Sequence, residues 1–136
     1  MPSLLYLVKQ LELAVRARLD ELVRGHGITA LQYTALTVLE RHDGLSAAQL
    51  ARDSFVTAQS IADMVRALET RGLIRRERNP ASRRELLLHL TPEGHSLLAA
   101  VATPVAELES RMTAKLTDPQ SAELRQSLIT AWQSLA

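Results

Sequence analysis

The stretch from Arg66 to Leu90, RALETRGLIRRERNPASRRELLLHL, limits what this chain can fold into more than any other. An arginine-bearing helical pattern stops at Gly72, a residue type that ends helices because it accepts a left-handed backbone. The apolar pair Leu73-Ile74 follows, then an arginine run, the turn signal Asn79-Pro80-Ala81-Ser82, and an alternating apolar run closing on Leu90. The order is helix, strand, basic hairpin, strand. Between Arg66 and Arg84, seven arginines (Arg66, Arg71, Arg75, Arg76, Arg78, Arg83 and Arg84) stand against two glutamates, Glu69 and Glu77. The whole chain carries a formal net charge of only +1, so the remainder is net acidic and the positive potential is confined to this region. A hairpin charged in this way suits a polyanion, and the pattern points to DNA.

With 136 residues the chain is long enough for one domain with a core and too short for two ordinary ones. Apolar residues make up 46% but aromatics only 3%, and a Leu, Ala and Val composition favours helices over a sandwich or barrel. The absence of cysteine excludes disulfides, thiolate metal sites and thiol redox switches. No apolar run approaches the roughly 18 residues of a membrane span. Lys9, Glu12 and Arg16 interrupt the N-terminal apolar positions, unlike a signal peptide. The expectation is a soluble cytoplasmic protein with no membrane partner.

Ser3 to about Arg24 reads as one helix, with Leu4, Leu7, Val8, Leu11, Val15, Leu19 and Leu22 at three- and four-residue spacing. Gly25-His26-Gly27 ends it. Thr29 caps a second helix that stops at Asp43-Gly44, and Ser46 caps a short third one over Ala47 to about Asp53. A fourth runs from Thr57 to Arg71 on the stripe Ile61, Met64, Val65 and Leu68. Two short helices followed by a basic hairpin, with strands Leu73–Arg78 and Glu85–Leu90, make a winged helix-turn-helix. Thr91-Pro92-Glu93 starts a fifth helix, bent near Pro104 and continuing to about Leu116. Asp118-Pro119 starts a sixth, ending near Leu135. The expected fold is mainly α with a small β-hairpin wing, as a single domain over 1–136. Its DNA-binding lobe spans 28–92, and helices in 1–25 and 93–136 have more apolar surface than one copy can bury. Packing against a second copy buries it and places two recognition helices on successive turns of a duplex.

Several strings resemble the MarR family of bacterial transcription regulators. Ile28-Thr-Ala-Leu-Gln-Tyr33 is similar to the family's second helix opening, and Leu45-Ser-Ala-Ala-Gln-Leu-Ala51 to its third. Leu68-Glu-Thr-Arg-Gly-Leu-Ile-Arg-Arg76 resembles the helix exit and first wing strand. Asn79-Pro-Ala-Ser-Arg-Arg84 stands at the wing tip, and Leu88-His-Leu-Thr-Pro-Glu-Gly94 matches the second strand and next helix start. The motifs cover about 28–95; the remainder resembles the family in architecture. The resemblance implies a winged helix-turn-helix homodimer that represses genes through an inverted-repeat operator in double-stranded DNA. It also implies release by a small aromatic or anionic ligand. Two departures stand out. Asp63 sits where the family often has arginine and Arg66 where it usually has an acid, a swap that allows an i, i+3 bridge. Ser82 replaces the usual wing aspartate, so the charged brace of a wing arginine is missing and a less braced tip is expected.

The candidate DNA contacts are Ser46, Thr57, Gln59, Ser60, Asp63, Arg66, Arg76, Arg78, Arg83 and Arg84. Hydroxyls and backbone amides at the start of the recognition helix meet phosphate, while Gln59 can read adenine and Asp63 can accept from a cytosine amino group. Arg83 and Arg84 fit a minor groove, with Arg84 favoured by its position in the family motif. Arg76 and Arg78 share a strand face as phosphate clamps, and Arg71 is assigned to the helix dipole. Arg16 and Tyr33 are the candidates for an effector site, and Trp132 for a dimer-core anchor. His26, His42, His89 and His95 match no metal spacing, so no metal or cofactor is expected. No glycine loop for phosphate, carboxylate pair or nucleophile–histidine spacing suggests an enzyme. Two alternatives remain beside the ligand-released repressor: a constitutive DNA-binding or architectural factor, and a winged-helix protein-interaction module, which Asp63 mildly favours.

Overall fold

In a computed structural model, which describes residues 1–136 apart from the side chain of Arg83, the chain forms six helices and a three-stranded sheet. In order these are α1 (Leu4–Arg24), α2 (Ala30–Arg41), β1 (Leu45–Ser46), α3 (Ala47–Asp53), α4 (Ala58–Thr70), β2 (Ile74–Asn79), β3 (Ser82–Leu90), α5 (Pro92–Met112) and α6 (Asp118–Leu135). Every helix starts on a hydroxyl. Ser3, Thr29, Ser46, Thr57, Thr91 and Thr117 each accept a backbone N–H from the first turn. At α2, α3 and α6 a glutamine (Gln32, Gln49, Gln120) bonds back to the cap's own N–H, completing a capping box.

The sheet order is β1-β3-β2, all antiparallel. Its first strand is a correction to the sequence reading, which has no strand at Leu45-Ser46. Two residues carry no alternation, and this strand exists because Leu45 and Ser46 pair with Leu88 and Leu87. The second wing strand begins at Ser82 rather than Glu85, with Asn79 opposite Ser82 across a register shift. The fifth helix stops at Met112, short of Leu116, because the chain turns there: Leu116 N–H donates to the Thr113 carbonyl at 2.9 Å.

The core lies where the helix-turn-helix meets the sheet. Leu36 and Leu39 of α2, Leu50 of α3, Leu68 of α4, Ile74 of β2 and Leu88 of β3 are fully buried. Each such side chain contributes about 1.5–3 kcal/mol on leaving water. Alternation splits the wing into two faces. Ile74, Arg76 and Arg78 lie opposite Leu90, Leu88 and Leu86 on one face, while Arg75 and Glu77 lie opposite His89 and Leu87 on the other.

The chain forms two compact units, residues 1–103 and 104–136, which part at Pro104 inside α5. The first holds the winged helix-turn-helix. The second holds the end of α5 and α6, where Arg125 Nη2 lies 3.5 Å from Glu109 Oε1 and no residue of α6 is buried. No helix among the described residues is long and apolar enough to cross a membrane.

Candidate nucleic-acid interface

The α4 helix presents two faces because its apolar residues recur at helical spacing. Ile61, Val65 and Leu68 are buried, which leaves Gln59, Asp63 and Arg66 as one exposed stripe. Asp63 Oδ1 and Arg66 Nη2 pair directly, so the expected i, i+3 bridge forms on this stripe. The pair is exposed and screened, so it orients the guanidinium more than it stabilises the fold. At the helix start the Thr57 hydroxyl accepts Ser60 N–H at 3.1 Å and donates to the Ser60 hydroxyl at 3.0 Å.

Ser46 differs from the other candidates. It is 8% exposed and its hydroxyl caps α3, accepting Gln49 N–H at 3.2 Å. It lies instead in the wall of a groove of about 470 Å³ lined by Ala47, Val65, Arg76, Ser82 and Arg84, which runs between the helix-turn-helix and the wing. Arg76 reaches from β2 back to α4, with Nε 3.1 Å from Glu69 Oε1, while Arg78 and Arg84 are exposed. The Arg83 side chain falls outside the described residues.

The wing tip carries a brace that Ser82 leaves out. Asn79 Oδ1 accepts Ala81 N–H at 2.9 Å in an Asx turn, and Asn79 Nδ2 donates to Glu85 Oε1 at 2.8 Å. An amide thus closes the tip turn without a charged bridge, a contact separate from the wing-arginine brace that Ser82 cannot supply. The asparagine before proline is the signal that carries it, a turn initiator as well as a loop marker.

Three further side chains matter, two that sequence reasoning placed differently and one that it passed over. Arg71 ends α4, but its guanidinium donates to the Gly27 carbonyl at 2.6 Å and the His26 carbonyl at 2.9 Å. It caps the turn after α1 rather than its own helix, a link across 44 or 45 residues that local spacing cannot show. His89 lies between Asp43 and Glu77 at the wing root. Burial alone raises the Asp43 carboxyl. Hydrogen bonds from His89 and the Leu90 N–H, with the charges of His89 and Arg75, outweigh it and hold the group below the usual carboxylate range.

Phe55, in the turn between α3 and α4, is the third. It has φ 64 and is 78% exposed. Val56 N–H donates to the Ala51 carbonyl at 3.1 Å, which makes Phe55 the left-handed residue of a helix-ending motif where glycine is usual. A bulky residue there stores roughly 1 kcal/mol of strain. Its ring lines an apolar cleft of about 620 Å³ with Val15, Arg16, Leu19, Leu31 and Thr34. Arg16 brings the cleft a cation, already engaged by Glu12 at 2.8 Å from Nε. Tyr33 is not in the lining; burial first, then the Glu40 charge, raises its phenol and keeps it neutral. Among the described residues no group of three His, Cys, Asp or Glu converges on a metal position.

Comparison with known proteins adds to this geometry. A family model described as the MarR family matches residues 26–85. The HTH-type transcriptional repressor Rv2887 of Mycobacterium tuberculosis (strain ATCC 25618 / H37Rv) is 31% identical over 123 residues, covering 90% of this chain and 88% of that protein. Its crystal structure, described as a MarR family protein in complex with salicylic acid, superposes with a TM-score of 0.78 at 30% identity, over 96% of this chain and 97% of that one. The transcriptional repressor CouR, bound to a 23-mer DNA duplex, superposes with a TM-score of 0.85 at 30% identity, over 95% of this chain and 92% of that one.

Proposed function

This chain belongs to the MarR family of transcription regulators, DNA-binding winged-helix proteins rather than enzymes, and on that premise we propose that it works as a cytoplasmic homodimeric repressor. It grips an inverted-repeat operator, each copy reading one half-site. The observation that carries this reading is the shared groove. Arg66 of α4 and Arg76 of the wing line one depression, and Arg76 with Arg84 lines the neighbouring groove, all on a single compact unit.

Within that lobe, residues 28–92, Gln59 reads a base edge in the major groove and Asp63 sets the direction of Arg66. Thr57 and Ser60 approach phosphate through the α4 N-terminus. Arg78 clamps the backbone, with Arg76 beside it once its Glu69 contact is shared, and Arg84 (with Arg83) enters the minor groove. Ser46 acts from behind, by fixing the start of α3.

Helices in 1–25 and 93–136 form the dimer. Their unburied apolar residues support this: Leu4, Leu5 and Tyr6 on α1, and separately Leu128, Ile129 and Trp132 on α6, are exposed in the single chain. The effector is a small aromatic or anionic molecule, a reading supported by the salicylic acid bound in the solved Rv2887 complex. The Arg16 cleft supplies an apolar wall and a cation for it. A constitutive factor is the second reading, favoured by the one fact that Arg16 already has Glu12 as its partner.

Footprinting of the DNA flanking the gene tests the assignment. Arg84→Ala is expected to weaken binding to all sequences alike and to lower the slope of log affinity against log salt by about one. Gln59→Ala is expected to cost about 1–3 kcal/mol at one base step while sparing other positions. Equal, sequence-blind losses from both variants exclude Gln59 as a reader.

A further inference from the structure

The wing root holds a cluster that neither the recognition helix nor the wing tip uses. His89 stands on β3 opposite Arg75 of β2, on the sheet face that carries Glu77 and Leu87. Its ring lies over Gly44, where a Cβ would stand 3.2 Å from Cε1 and where φ is 78. Nδ1 is 2.7 Å from Asp43 Oδ2, in the turn between α2 and β1. The other Asp43 oxygen accepts Leu90 N–H at 2.9 Å, so the carboxylate already holds β3 by its backbone. On the far side of the ring, Nε2 is 3.0 Å from Glu77 Oε2, which itself lies 3.3 Å from Arg75 Nη1. The side chain is 17% exposed and Nε2 is buried without an aligned hydrogen-bond acceptor among the described residues, so its relation to Glu77 is one of charge. The two carboxylates stand on opposite nitrogens and cannot converge on one metal ion. The charged groups facing the ring are Asp43 from the turn and Glu77 and Arg75 from β2.

We propose that His89 is a positioning residue for DNA binding: protonated on both nitrogens, it ties the α2–β1 turn to both wing strands and fixes the direction in which the hairpin delivers Arg84. The inference rests on the wing being a DNA contact. A neutral imidazole has one N–H. If Nδ1 keeps it, Nε2 turns a lone pair toward Glu77. If Nε2 keeps it, the lone pair faces Asp43. Either way one carboxylate meets a lone pair, and the tie fails on that side. The wing then keeps its backbone register, the Asp43–Leu90 bond and the Arg76–Glu69 pair but loses one of the two His89 links, and more freedom is lost when it settles on the duplex.

Fluorescence anisotropy tests this, using a labelled duplex selected from a random pool by the wild-type protein. Binding is measured from about pH 5.5 to 8.5, the span in which histidine changes charge, at fixed ionic strength. The wild-type Kd is expected to rise about fivefold across that range, the size of one partly exposed charged contact. His89→Gln removes the titrating ring and is expected to flatten the profile. Glu77→Gln, at an exposed carboxylate, offers the neutral ring an amide instead of a like-polarity oxygen. It is expected to restore tight binding at the alkaline end, a rescue that a merely structural histidine does not give. A wild-type profile without slope, or the same slope in His89→Gln and Glu77→Gln, overturns the proposal. Loss of binding at every pH by the wild-type protein overturns the DNA reading itself.

Discussion

Helix α2 has 12 residues and buries five of them, Ala30, Ala35, Leu36, Val38 and Leu39, whereas α6 has 18 residues and buries none. Both open on the same threonine–glutamine capping box, so the local code that starts them is shared. What differs is the company each keeps. Around α2 the core of the winged helix-turn-helix is complete within one chain. Leu128, Ile129 and Trp132 on α6 are 44%, 42% and 61% exposed. Helix α1 behaves like α6 along most of its length, with Val23 as its one buried residue among those described. A reader of DNA needs its geometry fixed before it meets the duplex, while an arm proposed to dimerise needs an apolar face left open for its counterpart.

The contrast breaks most visibly at the arms. Leu128→Glu combined with Trp132→Glu is expected to weaken self-association by more than about 4 kcal/mol, two buried anchors at about 2 kcal/mol each. Sedimentation velocity should then show a monomer whose circular dichroism retains the helical signal of the lobe. A dimer unchanged by both charges places the interface elsewhere. The lobe side breaks where the start of α5 packs on it, at Gly94, where a Cβ would stand 2.4 Å from the Leu73 carbonyl oxygen and 2.6 Å from Leu90 Cδ1. One of those atoms is backbone and cannot swing aside. Gly94→Ala is expected to cost about 2–4 kcal/mol in urea unfolding, and a cost under about 0.5 kcal/mol denies the close approach.

The smallest change sharpens the comparison. Phe55 is an exposed aromatic inside the otherwise well-packed lobe, in a backbone conformation that glycine adopts without strain. Phe55→Gly is expected to raise stability by about 0.5–1 kcal/mol, read as a shifted urea midpoint at unchanged slope. A loss instead means the ring's contacts with the cleft outweigh the strain.

The parts of the molecule legible in the sequence are those written in neighbouring residues. The caps Thr29, Ser46 and Thr91, the stripe Ile61, Val65 and Leu68, and the basic hairpin all follow from spacing within one or two turns. The Asp63–Arg66 pair is legible for the same reason. What escapes is held together across the chain. Strand β1 is too short to show a period and is made by Leu88 and Leu87 more than forty residues on. Arg71 reads as the end of a helix, and only folding brings the Gly27 carbonyl to it. His89 looks like one of four scattered histidines until Asp43, 46 residues earlier, meets its ring. Phe55 gives no signal at all, because nothing in an aromatic side chain announces a positive φ.

The six hydroxyl caps have a consequence for how the protein tolerates its surroundings. None is a carboxylate, and the partner in each of the three boxes is an amide, so the capping groups themselves hold no titrating group and no charge for salt to screen. Phosphate contacts, in contrast, weaken steeply as ions are added. Grip and scaffold therefore answer to different chemical variables. A shift in ionic strength can loosen the proposed hold on DNA while the caps of the helices that present it stay anchored, and the first turn of α4, where phosphate is proposed to approach, carries no acid to repel it.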